Sequence, residues 1–314
     1  MKISIVTPSY RCSGSLKELH RRLTEVLTKT GEEYEIIMIN DGSPDNDWEV
    51  IKEISSEDKK VKGICLSRNF GHQIAVTAGM NSASGDVVII MDADLQDPPE
   101  VIPRFIEKYN EGYHVVYAIR KERKNETLFK KITAKLFYRL LRKMSDVKIP
   151  VDTGDFRLIS REVNEVLKNM KENNRYIRGL VSWAGFPQTG IEYVREGRFA
   201  GETQYTLKKL LKFSLDGLTS FSKKPLEIAT LLGFTMSGAA FLFALYVIVA
   251  KLVFNSHIEK GWSSIAVLIM LVGGIQMIML GVVGEYIARI YDEAKGRPLY
   301  VVKELLNLEK KIEK

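Results

Sequence analysis

The sequence is poor in cysteine and lacks the loops that common nucleotide-binding domains use. Only Cys12 and Cys65 occur among 314 residues, without the spacing of a zinc site, so we expect free thiols in a reducing compartment. Neither G-x-G-x-x-G nor G-x-x-x-x-G-K-[ST] occurs, which excludes a dinucleotide fingerprint and a P-loop. The N-terminal stretch "MKISIVTPSY" is not expected to be a signal peptide, because its apolar run is short and breaks at Pro8.

Charged residues are missing from two long stretches of an otherwise basic chain. The net charge is +7, yet 228–250 and 261–284 contain no charged side chain. Each stretch is long enough to cross a bilayer core of about 30 Å as a helix. A buried helix of a soluble protein rarely stays uncharged over such a length. The pattern predicts two transmembrane helices.

Basic residues flank both predicted spans and set their expected orientation. Lysines precede the first span, and lysines and arginines follow the second, whereas the short connecting loop has little basic charge. The positive-inside rule then predicts a multi-pass plasma-membrane protein with its large N-terminal domain and both termini in the cytoplasm. We expect four parts: a cytosolic domain (1–205), an amphipathic interfacial segment (206–225), a transmembrane hairpin (226–290) and a cytosolic tail (291–314).

Short apolar runs alternate with amphipathic segments in the N-terminal part of the chain. The apolar runs predict strands at 3–8, 34–40, 62–67, 86–92 and 114–119. Segments such as "SLKELHRRLTEVLTKT" and "WEVIKEISSE" between them are typical of helices. Apolar strands without polar alternation, separated by helices, predict an α/β fold with a parallel sheet covered on both faces.

Polar side chains follow the ends of these predicted strands. In open parallel sheets, ligands bind outside the carboxyl ends of the strands. The residues just past the five strands are Pro8 and Tyr10, Asp41, Arg68, Asp92 and Asp94, and Arg120. An aromatic ring, three carboxylates and two guanidinium groups at one edge suit an anionic ligand bound together with a metal ion.

The stretch "IIMDADLQDPPE" (89–100) concentrates acidic residues after the fourth strand. Asp92 and Asp94 are two residues apart, so in extended backbone both carboxylates would point the same way. Paired carboxylates suit Mg²⁺ or Mn²⁺, and Gln96 continues the period with a carbonyl oxygen. An acidic turn without a metal is the alternative for this pair.

Asp97 belongs to the same stretch but has a different interpretation. In "DPPE" we interpret it as the N-cap of a helix, with Pro98 at the first helical position. Glu100 would complete a capping box three residues further on. This hypothesis gives Asp97 a structural role.

An ordered set of motifs along the chain resembles glycosyltransferase family 2. The motifs are "VTPSY", "NDGSPD", "LSRNFGHQIAVTAG", "MDADLQDPPE" and "DTGDFRLISREV". With "RGLVSWAGF", "DGLTSFSKKPL" and the paired apolar segments, nearly the whole chain looks more closely like the polyprenyl-phosphate glycosyltransferases, the group of bactoprenol glucosyltransferases and dolichol-phosphate mannose synthases. The resemblance implies a GT-A fold, hexosyltransferase activity, a nucleotide-sugar donor, a divalent metal and a lipid-phosphate acceptor.

The resemblance also implies roles for residues that match the family's motifs. Asp41 corresponds to the residue that contacts the nucleotide base, and Pro8 and Tyr10 to the loop that lines its pocket. Asp92, Asp94 and Gln96 correspond to the metal and pyrophosphate site. We complete the nucleotide-binding set with Arg68 and Ala93. The family usually has Asn-Glu where this chain has Arg11 and Cys12. Because this loop lines the pocket of the nucleotide base, the departure leaves less basis for choosing between UDP and GDP.

The implied reaction is attack of a lipid phosphate oxygen on the anomeric carbon, with inversion. Arg120, Arg123 and Arg198 are the candidates for the acceptor phosphate, because guanidinium groups are forked, permanent cations; a solvated surface position is the alternative for each. Asp155 is expected near the acceptor, as a general base or as a positioning residue, since a phosphate monoester with a second pKa near 6 needs no strong base. Its alternative is a turn carboxylate paired with Arg157.

Two basic amphipathic segments, 127–144 and 206–221, are predicted to lie in the headgroup layer. A helix packed on the sheet with a basic solvent face is the alternative. These segments account for the basic charge, so we expect a membrane and no nucleic acid as partner. Gly273, Gly274 and Gly281 would permit self-association as a homo-oligomer, and a lipid-sugar flippase or a downstream transferase would take the product.

Two other function classes remain as alternatives. A processive polysaccharide synthase would share the D-x-D domain, but it would need further spans and a Q-x-x-R-W motif that the sequence lacks. A non-catalytic, membrane-tethered nucleotide-sugar binder would show no turnover with any donor.

Overall fold

Strands and helices alternate along the first part of the chain, as the sequence predicts. The computed structural model describes residues 1–120, 150, 153–195, 224–253 and 261–308. Arg123, Arg198 and the segments 127–144 and 206–221 lie outside these ranges, so the predictions about them stay predictions. The chain divides into two units: Met1–Lys212 with Arg297–Lys314, and Phe213–Gly296.

The first unit contains one eight-stranded sheet. Its strands are β1 (Lys2–Ser9), β2 (Glu33–Asn40), β3 (Val61–Leu66), β4 (Val87–Ile90), β5 (Val115–Arg120), β6 (Thr153–Ser160), β7 (Gln188–Tyr193) and β8 (Val302–Leu306). Its helices are α1 (Ser13–Thr30), α2 (Asp47–Glu57), α3 (His72–Ser82), α4 (Ile102–Asn110), α5 (Arg161–Asn169) and α6 (Ile177–Trp183). The strand order is β7-β5-β6-β4-β1-β2-β3-β8.

The sheet is mainly parallel, as predicted, with antiparallel pairs at β6 and β8. β1 to β4 are parallel where they pair, and β5 pairs with β7 in parallel. β6 is inserted between β4 and β5 and runs antiparallel to both. The five predicted strands still run in one direction, so their carboxyl ends remain at one edge of the sheet. β6 brings its amino end to that same edge.

Apolar residues cover both faces of the sheet. On one face, α1, α2 and α4 contribute buried side chains such as Leu19, Ile51 and Phe105. On the other face, α3 packs close to β1 because it carries a glycine at the contact. A Cβ on Gly79 would lie 2.4 Å from Val6 Cγ1. This close approach sets the first turn of α3 beside the carboxyl edge of the sheet.

The C-terminal segment, predicted as a cytosolic tail over 291–314, contributes a strand to the sheet; its cytosolic location stays a prediction. β8 pairs antiparallel with β3 at the end of the sheet. Trp48 Nε1 donates to Glu304 Oε2 at 2.9 Å, and Asn307 Nδ2 donates to the carbonyl oxygens of Ser55 and Val61, each at 2.8 Å. The sequence pattern did not reveal this pairing because β8 is short and its partner is distant in the chain.

The second unit consists, where it is described, of α7 (Lys224–Val253) and α8 (Trp262–Ala294). Large apolar side chains on both helices are exposed, among them Phe234, Phe241, Ile269 and Met277. Within the described residues, one helical segment is long and apolar enough to cross a membrane, Leu271–Ala294, with mean hydropathy 1.6. Ala229–Phe243 is apolar but shorter. Leu271–Ala294 overlaps the second predicted span, and the pair of transmembrane helices stays a prediction.

Candidate active site at the carboxyl edge of the sheet

Two loops that follow β1 and β2 are joined at the edge of the sheet. The buried Asp47 carboxylate accepts hydrogen bonds from the Ser9 hydroxyl and from the Cys12 main-chain N–H. The Arg11 N–H donates to Ser43 Oγ at 3.0 Å, and Arg11 itself has a left-handed φ of +57°. Pro8 is buried and Tyr10 half-buried in the first of these loops.

Asp41 connects this region to the loop after β3. Its two carboxylate oxygens accept the main-chain N–H groups of Phe70 and Gly71, at 2.8 and 3.0 Å. Burial raises the pKa of Asp41 above its usual value. Gly42 permits the close approach, because its φ is +59° and a Cβ there would lie 2.4 Å from the Arg68 carbonyl carbon. The contact with the nucleotide base that is predicted for Asp41 would use carboxylate oxygens that already accept hydrogen bonds from this loop.

Arg68 lies on the surface beside the same loop. Its guanidinium carbon stands 4.0 Å from the centre of the Phe70 ring, and its Nη1 donates to the Asn69 carbonyl oxygen at 3.0 Å. A guanidinium held on an aromatic face keeps further donors for an anion. Its predicted contact with the nucleotide stays a prediction.

The D-x-D stretch forms a turn, which corrects the predicted extended alternation. β4 ends at Ile90, and Leu95 is buried with a left-handed φ of +58°. The main-chain N–H of Gln96 donates to Asp94 Oδ1 at 3.1 Å, and the Ala93 carbonyl oxygen accepts from Ser15 Oγ at 2.6 Å. The orientation of the acidic pair therefore comes from a fastened turn and not from the two-residue period of a strand.

Asp92 shares a histidine with Asp155. The antiparallel register of β4 and β6 pairs Ile90 with Arg157, and its continuation past the strand end sets Asp92 beside Asp155. His72 Nε2 lies 3.1 Å from Asp155 Oδ2 and 3.6 Å from Asp92 Oδ1. Burial alone would lower the pKa of His72, but the two carboxylates outweigh it and raise this pKa to about 9. The imidazole is therefore a cation at neutral pH.

The two carboxylates have opposite shifts. Burial raises the pKa of Asp92 to about 6; the nearby carboxylates Asp97, Asp155 and Asp94 add to this, and His72 opposes it. Burial would also raise the pKa of Asp155, but Arg178 and His72 outweigh it and hold this pKa well below its usual value. Asp155 is thus a stable anion, whereas Asp92 lies where negative charge has accumulated.

Both carboxylate oxygens of Asp155 accept hydrogen bonds. Arg178 Nε donates to Oδ1 at 2.7 Å, and Gln73 Nε2 donates to Oδ2 at 3.1 Å. The alternative of a turn carboxylate paired with Arg157 is wrong, because Asp155 lies within β6. The Arg157 guanidinium donates instead to the main-chain oxygens of Asp155 and Gly154, at 3.3 and 2.9 Å.

Asp97 is not a helix cap, which corrects the capping hypothesis. The turn Pro99–Val101 has Pro98 at its N-cap position and no side-chain cap. The Asp97 carboxylate is fully buried, and its Oδ1 accepts from the Tyr193 hydroxyl. Glu100 forms an ion pair with Arg22 at 2.5 Å and not a capping box. The packing of β7 against this turn takes Asp97 into the interior.

Arg120 reaches the same edge from β5. Its Nε donates to the Tyr193 hydroxyl at 3.4 Å, and a Cβ on Gly154 would lie 2.7 Å from its Nη2. The guanidinium therefore lies over Gly154, next to Asp155 in the chain. Among the arginines predicted to meet the acceptor, Arg120 is the one within the described ranges.

The donor chemistry of this edge fits a hard divalent cation. In the described ranges, no group of three or more His, Cys, Asp or Glu side chains is arranged to hold a metal ion by itself. Mg²⁺, however, is usually held by one or two carboxylates together with substrate phosphates. Asp92 and Asp94 offer such carboxylates, and burial together with the nearby carboxylates Asp97, Asp155 and Asp94 raises the pKa of Asp92 although His72 opposes this. The residues present fit a metal that binds together with a phosphate-bearing donor.

Sequence reasoning missed four of the side chains that organise this edge: His72, Gln73, Arg178 and Tyr193. His72 and Gln73 could have been found, because they open the helix after β3 within the quoted motif "LSRNFGHQIAVTAG", and Arg178 is the first residue of the quoted motif "RGLVSWAGF". Tyr193 had no such signal. It reaches the edge only through the packing of β7, which the sequence pattern did not predict.

Comparison with known proteins identifies the family of this chain. Residues 4–168 match the model of glycosyl transferase family 2. An uncharacterized glycosyltransferase, YkcC, from Bacillus subtilis is 54% identical over 99% of this chain and 96% of its own length. The prophage bactoprenol glucosyl transferase homolog of Escherichia coli and the bactoprenol glucosyl transferase of Shigella phage SfII are each 41% identical over 97% of this chain and over 99% and 98% of their own lengths.

Solved structures are similar at a lower level. Glucosyl-3-phosphoglycerate synthase from Mycobacterium tuberculosis, solved with Mn²⁺, UDP-glucose and phosphoglyceric acid, is 18% identical, with a TM-score of 0.45 over 70% of this chain and 79% of that one. Mannosyl-3-phosphoglycerate synthase from Rubrobacter xylanophilus is 17% identical, with a TM-score of 0.45 over 69% and 71%. The family assignment rests on the sequence matches and not on these structures.

Proposed function

The chain belongs to glycosyl transferase family 2 and is a glycosyltransferase, and we propose that it transfers a hexose from a nucleotide-sugar, in particular a UDP-sugar, to polyprenyl phosphate. The product would be a polyprenyl-phosphate sugar made on the cytoplasmic face of the membrane. One observation carries the acceptor: the match to proteins named bactoprenol glucosyl transferase extends over 97% of this chain. Bactoprenol is a polyprenyl lipid, so undecaprenyl phosphate is the acceptor that we propose.

The main obstacle to this reaction is charge. Two phosphate-bearing reactants must approach, and the departing nucleoside diphosphate gains negative charge. Asp92 and Asp94 would hold Mg²⁺ or Mn²⁺, with Gln96 beside them, and the bound metal would supply Lewis-acid stabilisation of the leaving diphosphate. The crowded negative charge at Asp92 supports a cation at this place.

The nucleophile is an oxygen of the lipid phosphate. It forms a bond to the anomeric carbon while the bond from that carbon to the diphosphate oxygen breaks, so configuration inverts. A phosphate monoester has a second pKa near 6 and is mostly deprotonated at neutral pH. No strong general base is needed.

Asp155 is therefore proposed to be a positioning residue. Its pKa lies well below the usual range, because Arg178 and His72 outweigh its burial, and so it would be a weak base. Both its oxygens already accept hydrogen bonds from Arg178, His72 and Gln73. Its charge would hold these cationic and polar groups at the edge of the sheet, where the phosphates meet.

The acceptor phosphate would be met by guanidinium groups. Arg120 lies over Gly154, beside Asp155, and a guanidinium offers two parallel donors to a phosphate. Arg123 and Arg198 are proposed to complete this set. The exposed apolar side chains of α7 and α8 support a membrane location, from which the lipid would reach the edge.

A donor screen tests this function. Purified full-length protein in detergent is incubated with undecaprenyl phosphate, Mg²⁺ or Mn²⁺, and one radiolabelled nucleotide-sugar at a time. We expect labelled lipid with one UDP-hexose, and loss of that label when EDTA is added. Turnover of a donor without undecaprenyl phosphate would point to another acceptor. Labelled product formed at the full rate in EDTA would contradict the metal assignment.

A further inference from the structure

A buried chain of polar groups runs beneath the proposed site, from the D-x-D turn to β5. The Tyr193 hydroxyl donates to Asp97 Oδ1 and accepts from Arg120 Nε at 3.4 Å. Arg120 and Tyr193 are direct neighbours in the parallel register of β5 and β7. The chain thus joins three segments that are distant in sequence, and its last member, Arg120, lies at the edge where the acceptor phosphate is proposed to bind.

Burying the Asp97 carboxylate at this position costs free energy of folding. Its side chain is 0% exposed, and its Oδ2 is buried with no hydrogen-bond partner among the described residues. Arg195 Nε is 3.6 Å from Oδ1 and, within the same part of the chain, has no hydrogen-bond partner either. A buried carboxylate with incomplete partners is costly to fold, and it caps no helix here. Stability of the fold alone does not account for it.

Gly154 helps to set the position of Arg120, the last member of this chain of polar groups. A Cβ on Gly154 would lie 2.7 Å from Arg120 Nη2 and 3.4 Å from its Cζ, so the guanidinium occupies the space that a side chain would fill. Gly154 precedes Asp155, which is fastened by His72 and Arg178. With Tyr193 holding Nε on one side and Gly154 leaving room on the other, the guanidinium has a defined place at the edge.

We propose that Asp97 and Tyr193 are positioning residues that hold the Arg120 guanidinium over Gly154, ready for the phosphate of the acceptor. The inference rests on the proposed function, in which Arg120 meets that phosphate. Asp97 acts through Tyr193, and Tyr193 acts through Arg120.

The electrostatics agree with this arrangement. Burial alone would lower the pKa of Arg120, but its hydrogen bond to Tyr193 and the nearby Asp97 raise it above its usual value.

The substitution Tyr193→Phe tests the proposal, because it removes the hydroxyl and keeps the ring that packs against Phe156. We expect the KM and the dissociation constant for undecaprenyl phosphate to rise about tenfold, the typical effect of losing a hydrogen bond to a charged group. The KM for the nucleotide-sugar should stay unchanged. The matched control is Tyr113→Phe, which removes a tyrosine hydroxyl just before the first residue of β5, at the end of the strand remote from Arg120. This variant should behave as wild type.

Two further variants separate positioning from a merely structural role. In an Arg120→Ala background, Tyr193→Phe should have no additional effect on the acceptor constants, because it acts through Arg120. Gly154→Ala should also raise the acceptor KM, because the added methyl group would displace the Arg120 guanidinium. Asp97 and Tyr193 remain unchanged in this variant. Additive effects in the double variant, equal losses for both substrates, or wild-type constants in Tyr193→Phe would each overturn the proposal.

The binding measurement keeps this test separate from the proposed function. If no donor supports transfer but Tyr193→Phe binds undecaprenyl phosphate about tenfold more weakly than wild type, the reaction is misassigned and the positioning role stands. Equal binding by wild type and variant would overturn the positioning role even if transfer occurs. A wild-type protein that binds no undecaprenyl phosphate would overturn both.

Discussion

At the scale of single residues, neighbouring carboxylates are held in different states by their partners. Asp155 has a strongly lowered pKa, because Arg178 and His72 outweigh its burial. Asp92, which shares His72 with it, has a pKa raised to about 6 by burial and by nearby carboxylates. The first is suited to hold cations in place. The second is suited to receive a metal ion, which would relieve the accumulated negative charge.

The substitution Asp94→Ala tests the metal assignment. We expect transfer to fall about a thousandfold or more, because metal stabilisation of a leaving group contributes several kcal/mol. The far-UV circular dichroism spectrum and the membrane association should not change. The measurement is labelled lipid product per unit time. Glu57→Ala removes an exposed carboxylate from α2 and is the control. Near-normal activity of Asp94→Ala would contradict the assignment.

At the scale of secondary-structure elements, one buried carboxylate fastens the strands of the sheet. Glu35 on β2 accepts from Ser4 Oγ on β1, from Lys62 Nζ on β3 and from the Ser84 N–H before β4. Burial would raise the pKa of Glu35, but these hydrogen bonds outweigh it and lower the pKa to about 2. The carboxylate is therefore charged throughout the physiological range and stabilises the sheet.

This lowered pKa predicts how stability depends on pH. Because the folded pKa of Glu35 lies below the unfolded value, its contribution is present above about pH 4.5 and is lost as the pH falls toward 2. Glu35→Gln should lower the free energy of unfolding at pH 7 on the order of 3 kcal/mol. The difference from wild type should shrink in acid, as measured by denaturant unfolding in detergent at several pH values.

Glu33→Gln changes an exposed carboxylate on the same strand and should leave the free energy of unfolding unchanged at each pH. A difference between Glu35→Gln and wild type that stays constant from pH 7 to pH 3 would show that the charge of Glu35 does not cause the stabilisation.

At the scale of the whole molecule, the chain combines a catalytic unit with an apolar unit. Leu271–Ala294 is long and apolar enough to cross a membrane. After α8 the chain returns to the first unit and adds β8 to the sheet. The proposal that both termini are cytoplasmic agrees with this return, because β8 and β3 must lie on the same side of the membrane. That requirement needs an even number of crossings, which the predicted pair of spans would satisfy; the pair itself stays a prediction.

Reporter fusions test this topology. A fluorescent protein fused after Lys314 should fluoresce in bacterial cells, whereas alkaline phosphatase fused at the same place should be inactive, since it needs the oxidising side of the membrane. The protein should also stay in the membrane fraction after carbonate extraction. An active phosphatase fusion would place the C-terminus outside and contradict the even number of crossings.

The sequence by itself determined the features that depend on local patterns. Apolar runs and amphipathic segments identified β1 to β5 and the helices between them. This works because the hydrophobic pattern that distinguishes a strand from a helix extends over a few neighbouring residues. The uncharged stretches identified the apolar unit for the same reason. The motifs at the strand ends identified the family and the carboxyl edge, since parallel strands bring those ends together.

Only the tertiary structure decided which side chains meet at that edge. The antiparallel β6 lies between β4 and β5 and sets Asp155 beside Asp92, and β7 brings Tyr193 to Asp97. Strand order and register are set by hydrogen bonds and packing between segments distant in the chain, so no local period encodes them. The same holds for β8, whose short sequence becomes a strand because β3 offers it an open edge.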